Sequence, residues 1–454
     1  MKLMLQKRYY TENFKIALPV ILSLAGQSIV QMADTMMVGR LGATPLAAVS
    51  LSCSIITNVM MIGIGIAMAL TPLVGVKFVR NNRRGGAILF QNSLSLNILI
   101  GLLSCALLLV INPLLTYMNQ PKEVLDILDG YYYWTTLSLI PYMVFLTFKQ
   151  MLEGMGNTLY SMLITIGCNV LNIFLNFGFI FGYMGFPQLG ATGAGVATFI
   201  ARMLMPLTFF AIVYAKKNYR YYLSLFSLKS MSLNRQWQLL KVGFPIATQM
   251  TLELFSLTMI TIMMGWLGAK TLAANQIVQT MIGFSFMISN GVASASTILV
   301  SHDLGRRNIT DIRMHTYAGM HIGVAIMVCF AFIYGFGGEL IASMFTADTE
   351  VITIAARLFI VVAFFEIFDG LQITSLGALR GLAEVKYPMY YAIISYIFIA
   401  IPSAYVMAFI FDFGSQGVLL GFMFGLITAA FLFIRCFRKK VYQLDNEMFR
   451  KYNS

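Results

Sequence analysis

Four acidic residues fall in stretches of the chain that are otherwise apolar: Asp34, Glu253, Glu366 and Asp369. Each has polar company at helical spacing. Gln27, Gln31 and Asp34 stand at i, i+4 and i+7, so a helix would carry all three on one face. Gln249 and Glu253 stack at i, i+4 with Ser256 one turn further on, and Glu366, Asp369 and Gln372 are three apart. Asn169, Asn172 and Asn176 form another stripe, which Thr198 can face from the next apolar stretch. A carboxylate inside hydrocarbon is costly, so each acid is a candidate for binding or transfer chemistry. Such a group can load and release protons, and joined by amide and carbonyl oxygens it suits a hard cation such as Na⁺. A cationic organic substrate would satisfy it equally. The competing reading is helix gluing by interhelical hydrogen bonds. That reading suits the asparagines better than the acids, because an amide joins helices without a buried charge.

The elements that must carry these residues follow from composition. The chain has 454 residues, 59% apolar and only 11% charged. Soluble domains are about 25% charged, and the mean hydropathy of +0.78 agrees that this is a membrane protein. Crossing about 30 Å of hydrocarbon as a helix takes roughly 20 apolar residues. Twelve stretches qualify: 15–38, 46–76, 87–118, 128–152, 158–184, 191–215, 239–266, 272–301, 315–345, 352–380, 387–411 and 416–437. The first is too long, and too polar at its far end, to read as a cleaved signal peptide.

Charge then orients them. With a cytoplasmic N-terminus, 26 of the 31 Lys and Arg residues fall on the cytoplasmic side, among them Lys2, Lys149, Lys229, Arg380, Arg450 and Lys451. Arg40, Lys122 and Lys270 fall opposite, and Arg202 and Arg357 fall inside spans. This asymmetry is the positive-inside pattern with both termini cytoplasmic. It accounts for the net charge of +13 without nucleic acid. Arg202 lies too deep to snorkel, and its expected role is an internal counter-ion paired with Asp34; Arg357 is expected to reach the interface.

The chain is also written twice. Gly39-Arg40-Leu41-Gly42-Ala43 with Leu46-Ala47-Ala48 matches Gly265-Trp266-Leu267-Gly268-Ala269 with Leu272-Ala273-Ala274 at an offset of 226. Pro19 and Pro245 share that offset, Gly154 and Gly381 pair at 227, and Gly190 and Gly193 pair with Gly414 and Gly417 at 224. Six spans per copy leave both halves in the same orientation, related by a pseudo-two-fold axis along the membrane normal. The expected division is a lobe at 1–215, a cytoplasmic linker at 216–241, a second lobe at 242–440 and a tail at 441–454. Two such lobes make a transporter in which one rocks against the other.

Other chemistries find no support. There is no P-loop, no Gly-x-Ser-x-Gly elbow and no His-Glu-x-x-His helix, so an enzyme is not expected. His302, His315 and His321 lack metal-ligand spacing, and Cys53, Cys105, Cys168, Cys329 and Cys436 read as packing residues. Most of the 31 methionines and 36 phenylalanines read as lipid-facing or core, a minority as an adaptable apolar lining. Tyr131-Tyr132-Tyr133-Trp134 fits an outer aromatic belt.

The segment Gln31-Met32-Ala33-Asp34-Thr35-Met36-Met37-Val38-Gly39, continued by Leu41-Gly42 and Leu46-Ala47-Ala48, resembles the first-helix signature of the multidrug and toxic compound extrusion (MATE) family. Gly265-Trp266-Leu267-Gly268 through Ala273-Ala274-Asn275-Gln276 resembles its second-half counterpart. Asp369-Gly370-Leu371-Gln372 leading to Gly377-Ala378-Leu379-Arg380-Gly381 looks like the span-10 motif. The resemblance covers residues 12–440, and the NorM-type branch is the nearest in pattern. It implies functional acids at Asp34, Glu253 and Asp369, a first-lobe polar cluster at Asn172, Asn176 and Thr198, and Na⁺ ligation at Glu253 and Asp369. Branches that couple through the first lobe have a second acid in span 5. Here Asn176 stands there, which favours cation binding in the second lobe, with Glu366 as an additional acid.

The resulting expectation is an all-α polytopic membrane protein of twelve transmembrane helices in two six-helix lobes. It would be an antiporter, functional as a monomer in a bacterial inner membrane, that exports cationic or amphipathic drugs in exchange for Na⁺ or H⁺ by alternating access. No cofactor beyond the coupling ion is expected. The site would comprise Asp34, Glu253, Asp369, Glu366, Asn172, Asn176, Thr198, Gln249 and Gln372, with Arg202 as counter-ion. The alternative is a flippase of lipid-linked saccharides. Those transporters carry several basic residues in the cavity, whereas four acids face two arginines here. A non-transporting sensor or scaffold is disfavoured by the lack of a sizeable soluble domain.

Overall fold

A computed structural model describes residues 6–118, 121–225 and 230–452. Of the basic residues assigned to a side above, Lys2 and Lys229 lie outside these, and the side chains of Lys122, Arg450 and Lys451 are not described. The chain runs α1 (Lys7–Gly39), α2 (Ala43–Ala67), α3 (Leu70–Val79), α4 (Arg83–Ile111), α5 (Lys122–Leu137), α6 (Leu139–Gly154), α7 (Thr158–Phe181) and α8 (Ala191–Ala215). After a short α9 (Lys217–Ser224) come α10 (Leu233–Trp266), α11 (Ala269–Arg306), α12 (Ile309–Ser343) and α13 (Thr349–Gly381). Then follow α14 (Lys386–Ala392), a π-helical stretch at Ile393–Ala400, α15 (Ile401–Tyr405), a second π stretch at Val406–Ile410 and α16 (Gly414–Tyr452). Lipid offers no partner for backbone N–H and C=O groups, so apolar segments close their own bonds as helices.

Eleven helices among the described residues are long and apolar enough to cross a membrane. The predicted span 128–152 is the exception in continuity: it breaks at Ser138 into α5 and α6, 16 residues each. Pro141 explains the break. It has no N–H to return to the Leu137 carbonyl, and its ring crowds the preceding turn. Together α5 and α6 complete the twelve crossings. The duplication is legible in the backbone as well. Asn81 (φ 53°) and Arg307 (φ 59°), 226 residues apart, both turn through the left-handed region. Each is followed by an asparagine that caps a helix: Asn82 accepts from the Gly85 amide at 2.8 Å, and Asn308 from the Asp311 amide at 3.1 Å.

The fold divides into two compact units, residues 22–247 and residues 1–21 with 248–454. Both cuts fall inside helices, two residues beyond Pro19 and Pro245, and not in the linker at 216–241. The opening turns of α1 therefore count with the second half of the sequence, and those of α10 with the first. Two equivalent glycines make room for them. A Cβ on Gly291 of α11 would collide with Ile21, and a Cβ on Gly65 of α2 would collide with Ala247. In the 22–247 unit the core gathers Leu70, Phe90, Phe145, Met151 and Phe209. In the other it gathers Tyr334, Phe359, Phe365, Tyr396 and Phe422. Side chains such as Phe336 and Leu340 remain exposed, as expected of helices that are apolar all round.

The tyrosine run departs from the expected belt. Tyr131 and Tyr132 are buried and only Tyr133 is exposed. Tyr132 donates to the Leu108 carbonyl at 2.8 Å, because a buried phenol needs an acceptor.

Candidate functional site

In the 22–247 unit, α1, α2, α5, α6, α7 and α8 enclose a cavity of about 410 Å³. Gln27, Gln31 and Asp34 line it together, as their common helical face requires, and Asn169, Asn172, Thr198 and Arg202 line it from α7 and α8. Asn176, fully buried, donates its amide to the Asp34 carboxylate and also to Asn172 Oδ1, the latter at 3.1 Å. The asparagine stripe thus holds the acid in place without neutralising it.

Arg202 does not form the ion pair expected of it. No contact within 4.0 Å joins it to Asp34 among the described residues. Its Nη1 donates to Ser138 Oγ at 2.9 Å, and its guanidinium lies 4.8 Å from the centroid of the Tyr142 ring. The reason lies in the break between α5 and α6. It places Ser138, and Tyr142 one turn later, where a guanidinium finds a hydroxyl acceptor and an aromatic face. Opposite charges consequently stand apart on the wall of one cavity.

The other unit holds the second constellation. Glu366 (1% exposed), Asp369 (7%) and Gln372 (0%) lie on the inward face of α13. Ser285 of α11 donates to Glu366 at 2.8 Å, and Gln372 donates to the Tyr396 hydroxyl at 2.7 Å. Glu253 of α10 shares a side-chain hydrogen bond with Tyr396 and lies within electrostatic reach of Arg380, while Asp369 is within reach of Glu366 and Glu253. Arg380 donates to Gln249 Oε1 at 3.4 Å. Of the three carboxyl groups only Glu253 is in reach of the guanidinium, so Glu366 and Asp369 have no basic partner and call for a proton or a cation. Glu366 Oε2 and Gln372 Oε1 are buried without a hydrogen-bond partner among the described residues. Among the described residues no three acidic, histidine or cysteine side chains converge as they would around one metal ion. The oxygen-rich mixture of carboxylate, amide and hydroxyl suits a proton or a monovalent cation better than a divalent metal.

Several participants were not expected. Arg380 and Lys149 were assigned to the cytoplasmic face, yet both are buried. Arg380 sits three helical turns past Asp369 on the same helix, a spacing that could have exposed it. Lys149 faces Glu153 one turn on at 3.9 Å, an ion pair buried within α6. Tyr396 gave no signal, since tyrosines are common in membrane spans. It sits in the widened π turn ahead of Pro402, whose missing N–H frees the carbonyl of Phe398. Cys53, read as a packing residue, lines the first cavity and hydrogen-bonds Tyr131 at 3.2 Å. Arg357 is exposed.

Comparison with known proteins adds independent findings. The family model described as MatE matches residues 19–177 and 245–406. The chain is 29% identical over 428 residues to the multidrug resistance protein NorM of Vibrio vulnificus strain YJ016, covering 93% of this chain and 94% of that one. It is 30% identical over 439 residues to a probable multidrug resistance protein NorM of Mesorhizobium japonicum, covering 93% and 92%. A crystal structure of the Vibrio cholerae MATE transporter VcmN, in a mutant form, superposes with a TM-score of 0.88 at 19% identity, covering 96% of this chain and 98% of that one. At that identity the likeness speaks for the fold.

Proposed function

The chain belongs to the MatE family, in its NorM-type branch, and from that premise we propose that it is a secondary antiporter that expels cationic or amphipathic organic compounds in exchange for Na⁺ or H⁺. The observation that carries this reading is the group formed by half-buried Glu253 with buried Glu366 and Asp369, with Arg380 as the guanidinium in reach of Glu253. Surplus negative charge in low dielectric is relieved by loading a cation or proton, so occupancy of the group changes the relative stability of conformational states. In the other unit, Asp34 offers an organic cation a carboxylate in a cavity of drug-site size. Coupling between the two ligands of about 1–3 kcal/mol is typical of linked sites. The proposed cycle is alternating access of the two lobes, in a bacterial cytoplasmic membrane with both termini inside. The names of the relatives, multidrug resistance proteins, support the substrate class.

The test is efflux of a cationic dye such as ethidium from everted vesicles or whole cells, with a Na⁺ gradient and a pH gradient imposed separately. Transport driven by one gradient alone identifies the coupling ion. Dye movement indifferent to both gradients would overturn antiport.

A further inference from the structure

Arg202 is a charge that the antiport reading leaves unused. It is half-buried in the membrane-spanning part of the 22–247 unit and opens onto the same cavity as Asp34. A guanidinium carries five N–H donors and is always charged. Here Nη1 goes to Ser138 and Nη2 makes a long 4.0 Å approach to Met60 Sδ, with the Tyr142 ring beneath. No carboxylate lies within 4.0 Å of it among the described residues, and Asp34 is engaged by Asn176 instead. Asp34 reaches it electrostatically across the cavity but not in contact, and a cation without a carboxylate in contact is expensive at this depth, where one hydroxyl does not neutralise it.

We propose that Arg202 is an anion subsite that makes this cavity selective for zwitterions: the guanidinium takes a carboxylate of the ligand while Asp34 takes its ammonium or other cationic pole. The proposal rests on the cavity being a substrate site and adds a second, opposite recognition element to it. The deciding consideration is charge balance. A simple cation satisfies Asp34 and leaves Arg202 uncompensated, and a simple anion does the reverse. A zwitterion compensates both poles at once and leaves the cavity neutral. The volume of about 410 Å³ accommodates a small aromatic ligand, and Tyr142 and Tyr131 supply flat walls for one. Geometry favours carboxylate over a spherical ion, because the planar fork of arginine matches two oxygens side by side.

A matched pair of probes tests this: a rhodamine dye bearing a free carboxylate, which is a zwitterion, and the methyl ester of the same dye, which is a simple cation. Equilibrium binding is read by fluorescence anisotropy on the purified full chain in nanodiscs, and movement by uptake into everted vesicles. The wild type should bind the acid roughly tenfold more tightly than the ester, the scale of one charge-assisted hydrogen-bonded pair. Arg202→Gln should erase that preference while still binding the ester, which shows that the variant is folded. Arg202→Lys, which keeps the charge but loses the fork, should retain part of it. Equal binding of acid and ester by the wild type, or an unchanged preference in Arg202→Gln, overturns the proposal. Competition by chloride without any preference for the acid also overturns it, in favour of an inorganic anion. Failure of the transport reading is distinguishable, because both dyes would then bind and neither would move.

Discussion

Asn176 donates its side-chain amide to the Asp34 carboxylate, although 142 residues of chain separate them. The contact ties α7 to α1 beside the cavity and orients the acid. Asn176→Ala removes the donor and leaves the carboxylate underbonded, which should cost about 1–3 kcal/mol. A thermal-shift measurement in detergent checks the loss. Asn176→Asp sets two carboxylates in contact, so that one must hold a proton. Dye binding by this variant should improve with pH more steeply than in the wild type.

Neutralising the α13 acids should uncouple the protein without unfolding it. Asp369→Asn and Glu366→Gln keep the shape and remove the charge that a coupling cation would meet. Gradient-driven dye efflux should fall to background in each, while size-exclusion profiles stay unchanged. Full drug resistance conferred by an Asp369→Asn strain would remove Asp369 from the coupling group.

Arg380 is buried and reaches Gln249 at 3.4 Å. Its loss leaves Glu253 without its guanidinium and Gln249 without a donor. Arg380→Gln should therefore destabilise by about 3–5 kcal/mol. Adding Glu253→Gln to the same chain should recover part of the loss if the two side chains interact. The double-mutant cycle, measured by thermal melting, gives the coupling directly.

At the ends of α11 and α12, His315 has no exposed side-chain surface and holds Asp303 at 2.6 Å through Nδ1, while Nε2 meets Glu12 at 2.9 Å. Asp303 is 1% exposed and Glu12 is 37% exposed. Burial ranks the two contacts. Asp303→Asn should lower stability by about 3 kcal/mol, whereas Glu12→Gln should cost under about 1 kcal/mol because solvent screens it. Equal melting temperatures for the two variants would contradict this ranking.

Gly65 and Gly291 occupy equivalent positions in the two copies and receive Ala247 and Ile21. Gly65→Ala and Gly291→Ala should each destabilise by about 1–3 kcal/mol, since the colliding atoms include backbone. Gly167→Ala, with open space where its Cβ would stand, should leave the melting temperature unchanged or raise it.

Residue types and their spacing determined much of this protein without any structure. Span positions, the duplication marked by Pro19 and Pro245, and the stripes at Gln27–Asp34 and Glu366–Gln372 follow from hydrophobic run length and helical periodicity. These are local properties, and lipid enforces them because a helix is the only way an isolated segment can satisfy its backbone there. The tertiary structure alone decided which buried charges meet. Arg380 of α13 meets Gln249 and Glu253 of α10, and Tyr396 bridges Glu253 and Gln372. Arg202 turns to Ser138 rather than Asp34, and the first turns of α1 and α10 pack with the opposite halves of the sequence. Each outcome depends on how a helix is rotated and where a proline breaks it, which sets direction in space between residues far apart in the chain. Spacing along one helix carries no information about that direction.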